Sequence, residues 1–303
     1  MRVMIRVEGL NKWFRDFNVL KDINITANTG QIYGLVGSNG CGKTTLLKHI
    51  IQIFKGDSGS IYYKDTQIKE ASPEIEKFYY IQDDLYFPYG YNLDMLFKYE
   101  SKLYKNMSVE KYEKLLKFFN INRKAKLTTL SKGQKKQAAF IIAVSAKPEV
   151  LLLDEVVDGL DAVVKRKFWN VLINEVMERD VTVIISSHDL KEIDNICDKI
   201  GIMHEGRIIK EEKMDTLKEE VKRVQFAVEE EYKEIKSDKY EIIKTQKIGS
   251  VYFGIIKGDV DIFRKDLNEK YTLLIFDELS MDLEEIFITE LGGAGYGKEE
   301  FIS

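Results

Sequence analysis

The sequence feature that most constrains this chain is a glycine-rich segment near its start. Residues 37–44, which read Gly-Ser-Asn-Gly-Cys-Gly-Lys-Thr, match the phosphate-loop pattern G-x-x-x-x-G-K-[ST]. The preceding residues 31–36 (QIYGLV) favour a strand, and apolar residues recur at helical spacing over 44–54. A strand, a glycine-rich turn and a helix in this order predict an α/β domain that binds phosphate groups.

The residue types in this loop suit an anion. Glycines allow successive backbone N–H groups to turn inward, and the N-terminus of the following helix adds a positive dipole end. Lys43 supplies a point charge for the β- and γ-phosphates of a nucleotide, and the Thr44 hydroxyl is a ligand for Mg²⁺. The residues predicted to contact the nucleotide here are Gly37, Ser38, Asn39, Gly40, Cys41, Gly42, Lys43, Thr44 and Thr45.

A second segment joins an apolar strand to two acids. Leucines occupy positions 151–153, and Asp154 and Glu155 follow them. In a chain with a phosphate loop, Asp154 at the end of this strand is placed to hold Mg²⁺ through water. Glu155 is then a candidate to orient or deprotonate an attacking water. The alternative is two acids that merely end a strand.

The rest of the chain alternates strand and helix patterns. A polar, aromatic loop is predicted at 12–16, and helical spacing dominates 92–146. Strands are expected at 3–8, 19–25, 60–63, 78–81, 149–153 and 181–185, a helix at 161–178 and a hairpin at 198–210. This alternation predicts a parallel sheet with helices on both faces.

The composition changes after residue 211. More than half of residues 211–240 are charged, with both signs mixed, which favours a solvated linker and helix face. Strand patterns then follow at 240–244, 250–256 and 271–276, and an amphipathic pattern at 281–291. We expect a small α+β appendage.

Composition excludes several classes of protein. The net charge of −4 and the pI of about 5.7 argue against a basic nucleic-acid-binding surface. The longest apolar run, 138–144, is less than half of the ~18 residues that a membrane span needs. The chain begins without an extended apolar stretch, so we expect no signal peptide. Two cysteines, Cys41 and Cys197, predict free thiols in a reducing cytosol.

Residues 130–134, Leu-Ser-Lys-Gly-Gln, closely resemble the LSGGQ signature of ABC-type ATPases. Other residues then match this family in order: Phe14 the adenine-stacking ring, Gln82 the glutamine loop, Gly159-Leu160-Asp161 the D-loop and His188 the switch histidine. The resemblance covers residues 3 to about 215. It implies an α/β P-loop NTPase core with a parallel sheet (1–215) and an inserted helical subdomain (about 90–146). The composition change and the strand patterns that follow it add the small C-terminal α+β appendage (216–303).

The resemblance also implies a mechanism. Two subunits, identical or different, pack head to tail around two ATP molecules with Mg²⁺. Ser131, Gly133 and Gln134 of one chain then contact the nucleotide held by the other. The implied catalytic residues are Glu155, His188 and Gln82, and the implied metal ligands are Thr44, Gln82 and Asp154.

Some positions leave alternatives open. Trp13 is a second candidate for the stacking ring, beside Phe14. Lys132 and Val156 stand where the family usually has Gly and Pro, and neither change removes a catalytic group. Lys43 and the helix N-terminus favour a reactive thiolate at Cys41, although a tolerated small residue is the other interpretation.

The family drives transport, so the resemblance implies a separate integral-membrane permease. Residues 83–100 place aromatics around Pro88 and Gly90, where the family receives the permease's coupling helix. The order of motifs and the segment 280–287 favour an exporter subunit in the cytoplasm, peripheral on the inner face of the membrane. A soluble ABC-type ATPase that acts as a nucleotide-gated interaction module is the alternative. No nucleic-acid partner is expected.

Overall fold

Strands and helices alternate through most of the chain. In this computed structural model, which describes residues 2–283, 285 and 286, the chain separates into two compact units that divide between Glu211 and Glu212. The first ten strands are β1 (Val3–Phe14), β2 (Phe17–Asn28), β3 (Ile32–Val36), β4 (Ser58–Tyr63), β5 (Thr66–Gln67), β6 (Phe78–Ile81), β7 (Val150–Asp154), β8 (Thr182–Ser187), β9 (Lys199–His204) and β10 (Arg207–Lys213). The first six helices are α1 (Lys43–Ile50), α2 (Leu93–Glu100), α3 (Val109–Phe119), α4 (Lys132–Ser145), α5 (Ala162–Arg179) and α6 (Leu190–Ile193).

A six-stranded sheet positions the glycine-rich loop. Its strand order is β10-β9-β3-β8-β7-β6, and β9, β3, β8, β7 and β6 run parallel. Every residue of β3, β7 and β8 is buried, as expected for central strands covered on both faces. Val36 lies opposite Ser187, and Asp154 lies opposite Ser186. The loop after β3 and the acids after β7 therefore meet at the same edge.

A four-stranded antiparallel sheet, in the order β2-β1-β4-β5, lies in the same unit. One apolar core contains residues of both sheets together with Leu46, Leu47 and Ile50 of α1. Each of these three side chains contributes roughly 1.5–3 kcal/mol by burial, which anchors the helix that follows the loop. The predicted loop at 12–16 is wrong in part, because β1 continues through Phe14. The chain reverses at Arg15 and Asp16, and Arg15 has a φ of 53°.

Three helices occupy the region predicted to be a helical subdomain. Their first turns are capped by side chains: Asn92 accepts from the Met95 amide, and Ser108 accepts from the Lys111 amide. Helix α4 is buried over most of its length, and its Phe140 stacks on Phe168 of α5 at 3.8 Å between ring centroids. The segment between Ile81 and Val150 is therefore fixed to the core by α4.

The second unit contains α7 (Met214–Glu220), β11 (Val221–Val228), β12 (Tyr240–Ile248), β13 (Val251–Gly258), α8 (Val260–Lys270) and β14 (Leu273–Leu279). Its strands form an antiparallel sheet in the order β12-β13-β11-β14. Phe263 and Leu267 of α8 share a core with Val224 and Phe226 of β11. The charged region 211–240 is therefore more than a linker and helix face, since β11 runs through it as a central strand.

No helix in the described part of the chain has the length and hydropathy that a bilayer crossing requires. The amphipathic pattern predicted at 281–291 lies mostly outside the described residues. Of this segment the structure describes 281–283, 285 and 286, and Met281, Leu283 and Ile286 are buried.

Candidate functional site

The phosphate loop, residues 37–44, wraps around the side chain of its own lysine. Lys43 is 4% exposed, and its ammonium donates hydrogen bonds to the carbonyl oxygens of Gly37 at 2.7 Å and Ser38 at 3.2 Å. Gly42 caps α1 with a φ of 115°, a conformation that favours glycine. The ammonium and the N-terminus of α1 therefore lie at one point, where both attract an anion.

Gly37 has a steric reason to lack a side chain. A Cβ atom there would lie 2.2 Å from the carbonyl oxygen of Met203 and 2.7 Å from Sγ of Cys41. Because the first of these is a backbone atom of β9, it has little freedom to yield. The loop therefore passes against the sheet edge at a distance that glycine alone permits.

Cys41 is buried, with its side chain in the tight turn of the loop. Burial raises the pKa of its thiol and outweighs the lowering effect of the Lys43 ammonium. This burial argues against the interpretation as a reactive thiolate, since the sequence indicates the neighbouring charges but not the desolvation. The second interpretation, a small residue that fits the loop, agrees with this burial.

Asp154 ends β7 with its carboxylate fixed on both sides. Ser186 of β8 donates to Oδ1 at 2.6 Å, and Tyr80 of β6 donates to Oδ2 at 3.0 Å. Burial and the nearby carboxylate raise the pKa of Tyr80, so this phenol keeps its proton. Tyr80 and Ser186 were not identified from sequence. Only the pairing of β6, β7 and β8 brings them beside Asp154.

Glu155 stands between the loop lysine and the histidine after β8. Its Oε1 lies 3.5 Å from Nζ of Lys43, and its Oε2 lies 3.7 Å from Nδ1 of His188. Its amide nitrogen donates to the Ser186 hydroxyl at 3.1 Å. Nδ1 of His188 is closer, at 3.3 Å, to a carboxylate oxygen of Asp158. The structure thus brings the predicted residues Lys43, Glu155 and His188 together and adds Asp158, which the sequence did not single out.

The predicted metal ligands carry suitable donor atoms. A threonine hydroxyl, an amide oxygen and a carboxylate, from Thr44, Gln82 and Asp154, are the hard oxygen donors that Mg²⁺ prefers. Thr44 is exposed at the first turn of α1, and Gln82 directly follows β6 and is half-buried. Asp158, Glu155 and His188 also offer ligand atoms within 4.8 Å of one another, but an imidazole suits transition metals better than Mg²⁺.

Both candidate stacking rings lie at the end of β1. Trp13 is 49% exposed and Phe14 is 42% exposed. Phe14 packs edge-on against Phe54 at 5.5 Å, and the Lys12 ammonium lies 5.4 Å from the Phe14 ring centroid. Because both rings are exposed, both candidates stay open.

The signature forms the start of α4. The Ser131 hydroxyl accepts from the Gln134 amide at 3.2 Å, and Oε1 of Gln134 accepts from the Ser131 amide at 3.1 Å, which completes a capping box. The hydroxyl proton of Ser131 is still available to donate to an anion. Gly133, Gln134 and the D-loop residues Gly159-Leu160-Asp161 line one surface groove with Ser131.

This groove is separate from the phosphate loop of the same chain. No described hydrogen bond or ion pair joins Ser131, Gly133 or Gln134 to residues 37–45. The predicted site residues therefore fall into two groups, one with the loop lysine and the acids, and one with the signature.

Comparison with known proteins gives consistent results. A protein-family profile described as "ABC transporter" matches residues 20–158. The ABC transporter ATP-binding protein YtrB of Bacillus subtilis is 32% identical over 299 residues, which cover 96% of this chain and 99% of that protein. The spermidine/putrescine import ATP-binding protein PotA of Fusobacterium nucleatum is 34% identical over 215 residues, which cover 68% of this chain and 56% of that protein.

The solved structures show the same fold. A dimeric ATP-binding cassette in a post-hydrolysis state, bound to ADP and phosphate, is 22% identical to this chain with a TM-score of 0.61. The similarity covers 70% of this chain and 99% of that one. At this identity the comparison concerns the fold alone, and it confirms the predicted α/β P-loop class.

Proposed function

The chain belongs to the ABC transporter family as an ATP-binding subunit and is an ATPase, and we propose that it powers export through a separate membrane permease. Subunits of this family support ATP-driven transport together with a membrane partner. We further propose that the working form is a head-to-tail dimer, of two copies or of this chain with a related one. Glu155 acts as the base for hydrolysis in each complete site.

The observation that carries the proposed chemistry is the convergence of Lys43 and His188 on the two carboxylate oxygens of Glu155. The phosphate loop, a carboxylate that can act as a general base and the imidazole of His188 lie at one edge of the sheet. Hydrolysis of ATP needs a water placed in line with the γ-phosphate and a group that takes its proton. Glu155 is the described carboxylate at this edge that also faces the loop lysine.

The residues divide the work as follows. Backbone N–H groups of residues 37–44 and the Lys43 ammonium bind the phosphates. Thr44, Gln82 and Asp154 would hold Mg²⁺, which, when bound, neutralises charge on the β- and γ-phosphates. Tyr80 and Ser186 keep the Asp154 carboxylate in place by hydrogen bonds to both of its oxygens. His188 orients Glu155 and reaches toward the γ-phosphate.

The signature supports the dimer. Ser131 and the first amides of α4 form a helix N-terminus suited to a phosphate, yet no described hydrogen bond or ion pair joins them to the phosphate loop of their own chain. In a head-to-tail pair this half-site would close over the nucleotide of the partner. Hydrolysis removes the γ-phosphate contact and lets the pair open.

A groove beside Gln82 is the proposed landing site for the permease. It has a volume of about 360 Å³, and its lining includes Tyr80, Gln82, Tyr86, Tyr99 and Glu100. Tyr86 is 84% exposed, as the aromatic pattern at 83–100 indicates. Aromatic residues are enriched at interfaces because they bury a large area at small entropic cost. A segment that docks here would sense the nucleotide site through Gln82.

The proposed direction of transport rests on the order of the motifs along the sequence, which favours an exporter. Residues 280–287, which contribute to this inference, lie partly outside the described residues.

A photocrosslinking residue at position 86 tests the partner. In living cells, we expect the residue at position 86 to crosslink to a multi-span membrane protein. The same crosslinker at position 177, an exposed residue of α5, should give no such product. Crosslinks only to soluble proteins would instead favour the nucleotide-gated interaction module.

The direction of transport can be tested even though the substrate is unknown. Metabolites of cells and medium are compared between cells that carry the wild-type chain and cells that carry Glu155→Gln. Loss of export raises a compound inside the cells and lowers it in the medium, and loss of import does the opposite.

A further inference from the structure

Lys136 of α4 is a lysine buried within the ATPase unit, five residues after the signature serine. Its side chain is 1% exposed. The ammonium donates to the carbonyl oxygen of Glu155 at 2.6 Å and to that of Asp158 at 3.0 Å, and lies 3.2 Å from Oδ1 of Asp83. An ammonium has three N–H donors, and each has one oxygen here. A buried charge is tolerated only with such partners.

The three oxygens come from three separate segments of the nucleotide site. Asp83 follows Gln82 after β6, Glu155 follows β7, and Asp158 immediately precedes the D-loop. Lys136 itself belongs to the helix that Ser131 begins. One side chain thus connects the glutamine loop, the proposed base, the D-loop and the signature helix.

The contact with Glu155 has a conformational consequence. Glu155 has a φ of 49°, in the left-handed region that non-glycine residues rarely adopt. Such a conformation persists where surrounding groups hold it, and it is common at functional sites. The Lys136 ammonium holds the carbonyl side of this residue, while the Ser186 hydroxyl accepts from its amide side.

We propose that Lys136 is a positioning residue for hydrolysis: it fixes the backbone of Glu155 so that the carboxylate faces the phosphate loop, and it ties this alignment to Asp83. The inference rests on the proposed role of Glu155 as the base. The described partners of the Lys136 ammonium all lie outside the phosphate loop, so removal of the ammonium should change the rate of hydrolysis and leave ATP binding intact.

The test uses the full chain and the variant Lys136→Met, which keeps length and apolar bulk and removes all three donors. We expect kcat for ATP hydrolysis to fall roughly 10- to 100-fold while KM and the ATP dissociation constant stay within about twofold. The matched control is Lys135→Met, a change at the adjacent, half-buried lysine, which should behave as wild type.

A second variant covers the case in which Lys136→Met does not fold. Asp83→Asn removes the carboxylate charge at a residue that is 45% exposed, so the fold should tolerate it. We expect a smaller fall in kcat with unchanged ATP affinity. Wild-type kcat in Lys136→Met overturns the proposal, as does a parallel loss of stability, affinity and kcat. Wild-type kcat in Asp83→Asn overturns the link to the glutamine loop.

Glu155→Gln separates this inference from the proposed function. If Glu155→Gln hydrolyses ATP at the wild-type rate, Glu155 is not the base and the proposed mechanism fails. If Glu155→Gln is inactive while Lys136→Met is fully active, the mechanism stands and the positioning role fails.

Discussion

The ammonium of Lys43 lies 3.5 Å from a carboxylate oxygen of Glu155 and also donates to the carbonyl oxygens of Gly37 and Ser38. The lysine is buried and the glutamate side chain is 20% exposed. Because two of the three lysine contacts are to backbone, a change at Glu155 should leave the lysine in the loop. A mutation at Glu155 can therefore remove the proposed base without disturbing phosphate binding by Lys43.

Glu155→Gln should stop turnover and preserve nucleotide binding. Glutamine keeps the shape and a hydrogen bond but does not accept a proton at neutral pH, so hydrolysis should fall by roughly 10² or more. ATP should then accumulate in the closed dimer, which size-exclusion chromatography with ATP and with ADP detects. Glu178→Gln, at an exposed residue of α5, is the matched control.

Addition of Ser131→Arg should return this mutant to monomer, because a bulky side chain would occupy the γ-phosphate contact. If the dimer dissociates during chromatography, crosslinking of the two subunits through introduced cysteines detects it instead. Wild-type hydrolysis by Glu155→Gln would contradict the assignment of the base.

The second unit should be dispensable for ATP binding. The phosphate-contacting residues predicted from sequence end at His188, and the two compact units divide between Glu211 and Glu212. A chain that ends after Lys213, the last residue of β10, should stay folded and bind ATP with a dissociation constant within about twofold of the full chain. Circular dichroism and nucleotide titration measure both properties. A folded but much weaker binder would place part of the site in the second unit.

His49 should make the stability of the fold depend on pH. It is fully buried in α1, its Nδ1 contacts the Thr45 carbonyl oxygen at 2.7 Å, and burial lowers its pKa from 6.5. The folded protein keeps this imidazole neutral at a pH where the unfolded chain binds a proton. The free energy of unfolding should therefore fall as the pH drops below about 6.5, until the folded imidazole is protonated as well.

Urea unfolding of wild type and His49→Leu between pH 5 and pH 8 isolates this effect, since other titrating groups are common to both proteins. The free energy of unfolding of wild type minus that of His49→Leu should fall as the pH drops through that range. His204→Gln, at a half-buried histidine of β9, is the control. A constant difference between wild type and His49→Leu would refute the prediction.

Cys41 should react slowly with iodoacetamide, and more slowly still with Mg-ATP present. Its thiol is buried with a raised pKa, so little thiolate exists near neutral pH, and phosphates bound in the loop would restrict the remaining access. Mass spectrometry gives both rates. Cys197, also buried with a raised pKa, is an internal reference whose rate ATP should leave unchanged. Equal rates at Cys41 with nucleotide bound would exclude the proposed loop contact.

The local sequence predicts those parts of the site whose residues are neighbours along the chain. The loop at 37–44 and the acid at the end of the strand are specified by neighbouring residues, and the parallel sheet follows from the order of patterns. Tyr80, Ser186 and Lys136 were not identified, because their partners lie far along the chain and only strand order and helix packing bring them together. The sequence around Lys136 also does not distinguish a buried lysine from one at the surface.

Two errors have a similar origin. The polarity and bulk of Lys12, Trp13 and Phe14 predict a loop, yet the turn needs only Arg15 and Asp16. The charged residues around strand β11 favour a linker and helix face, although the strand is central in its sheet. Its Val224 and Phe226 alternate toward the core, and that period-2 pattern was the available signal.

The separation of the signature from the phosphate loop within one chain has a genetic consequence. In the proposed head-to-tail pair, each site takes its base from one chain and its signature from the other. A mixed pair of a Ser131→Arg chain and a Glu155→Gln chain would gather both lesions into one site and leave the other site with wild-type parts. Two alleles that are each defective alone would then complement when coexpressed, with at most one working site per dimer.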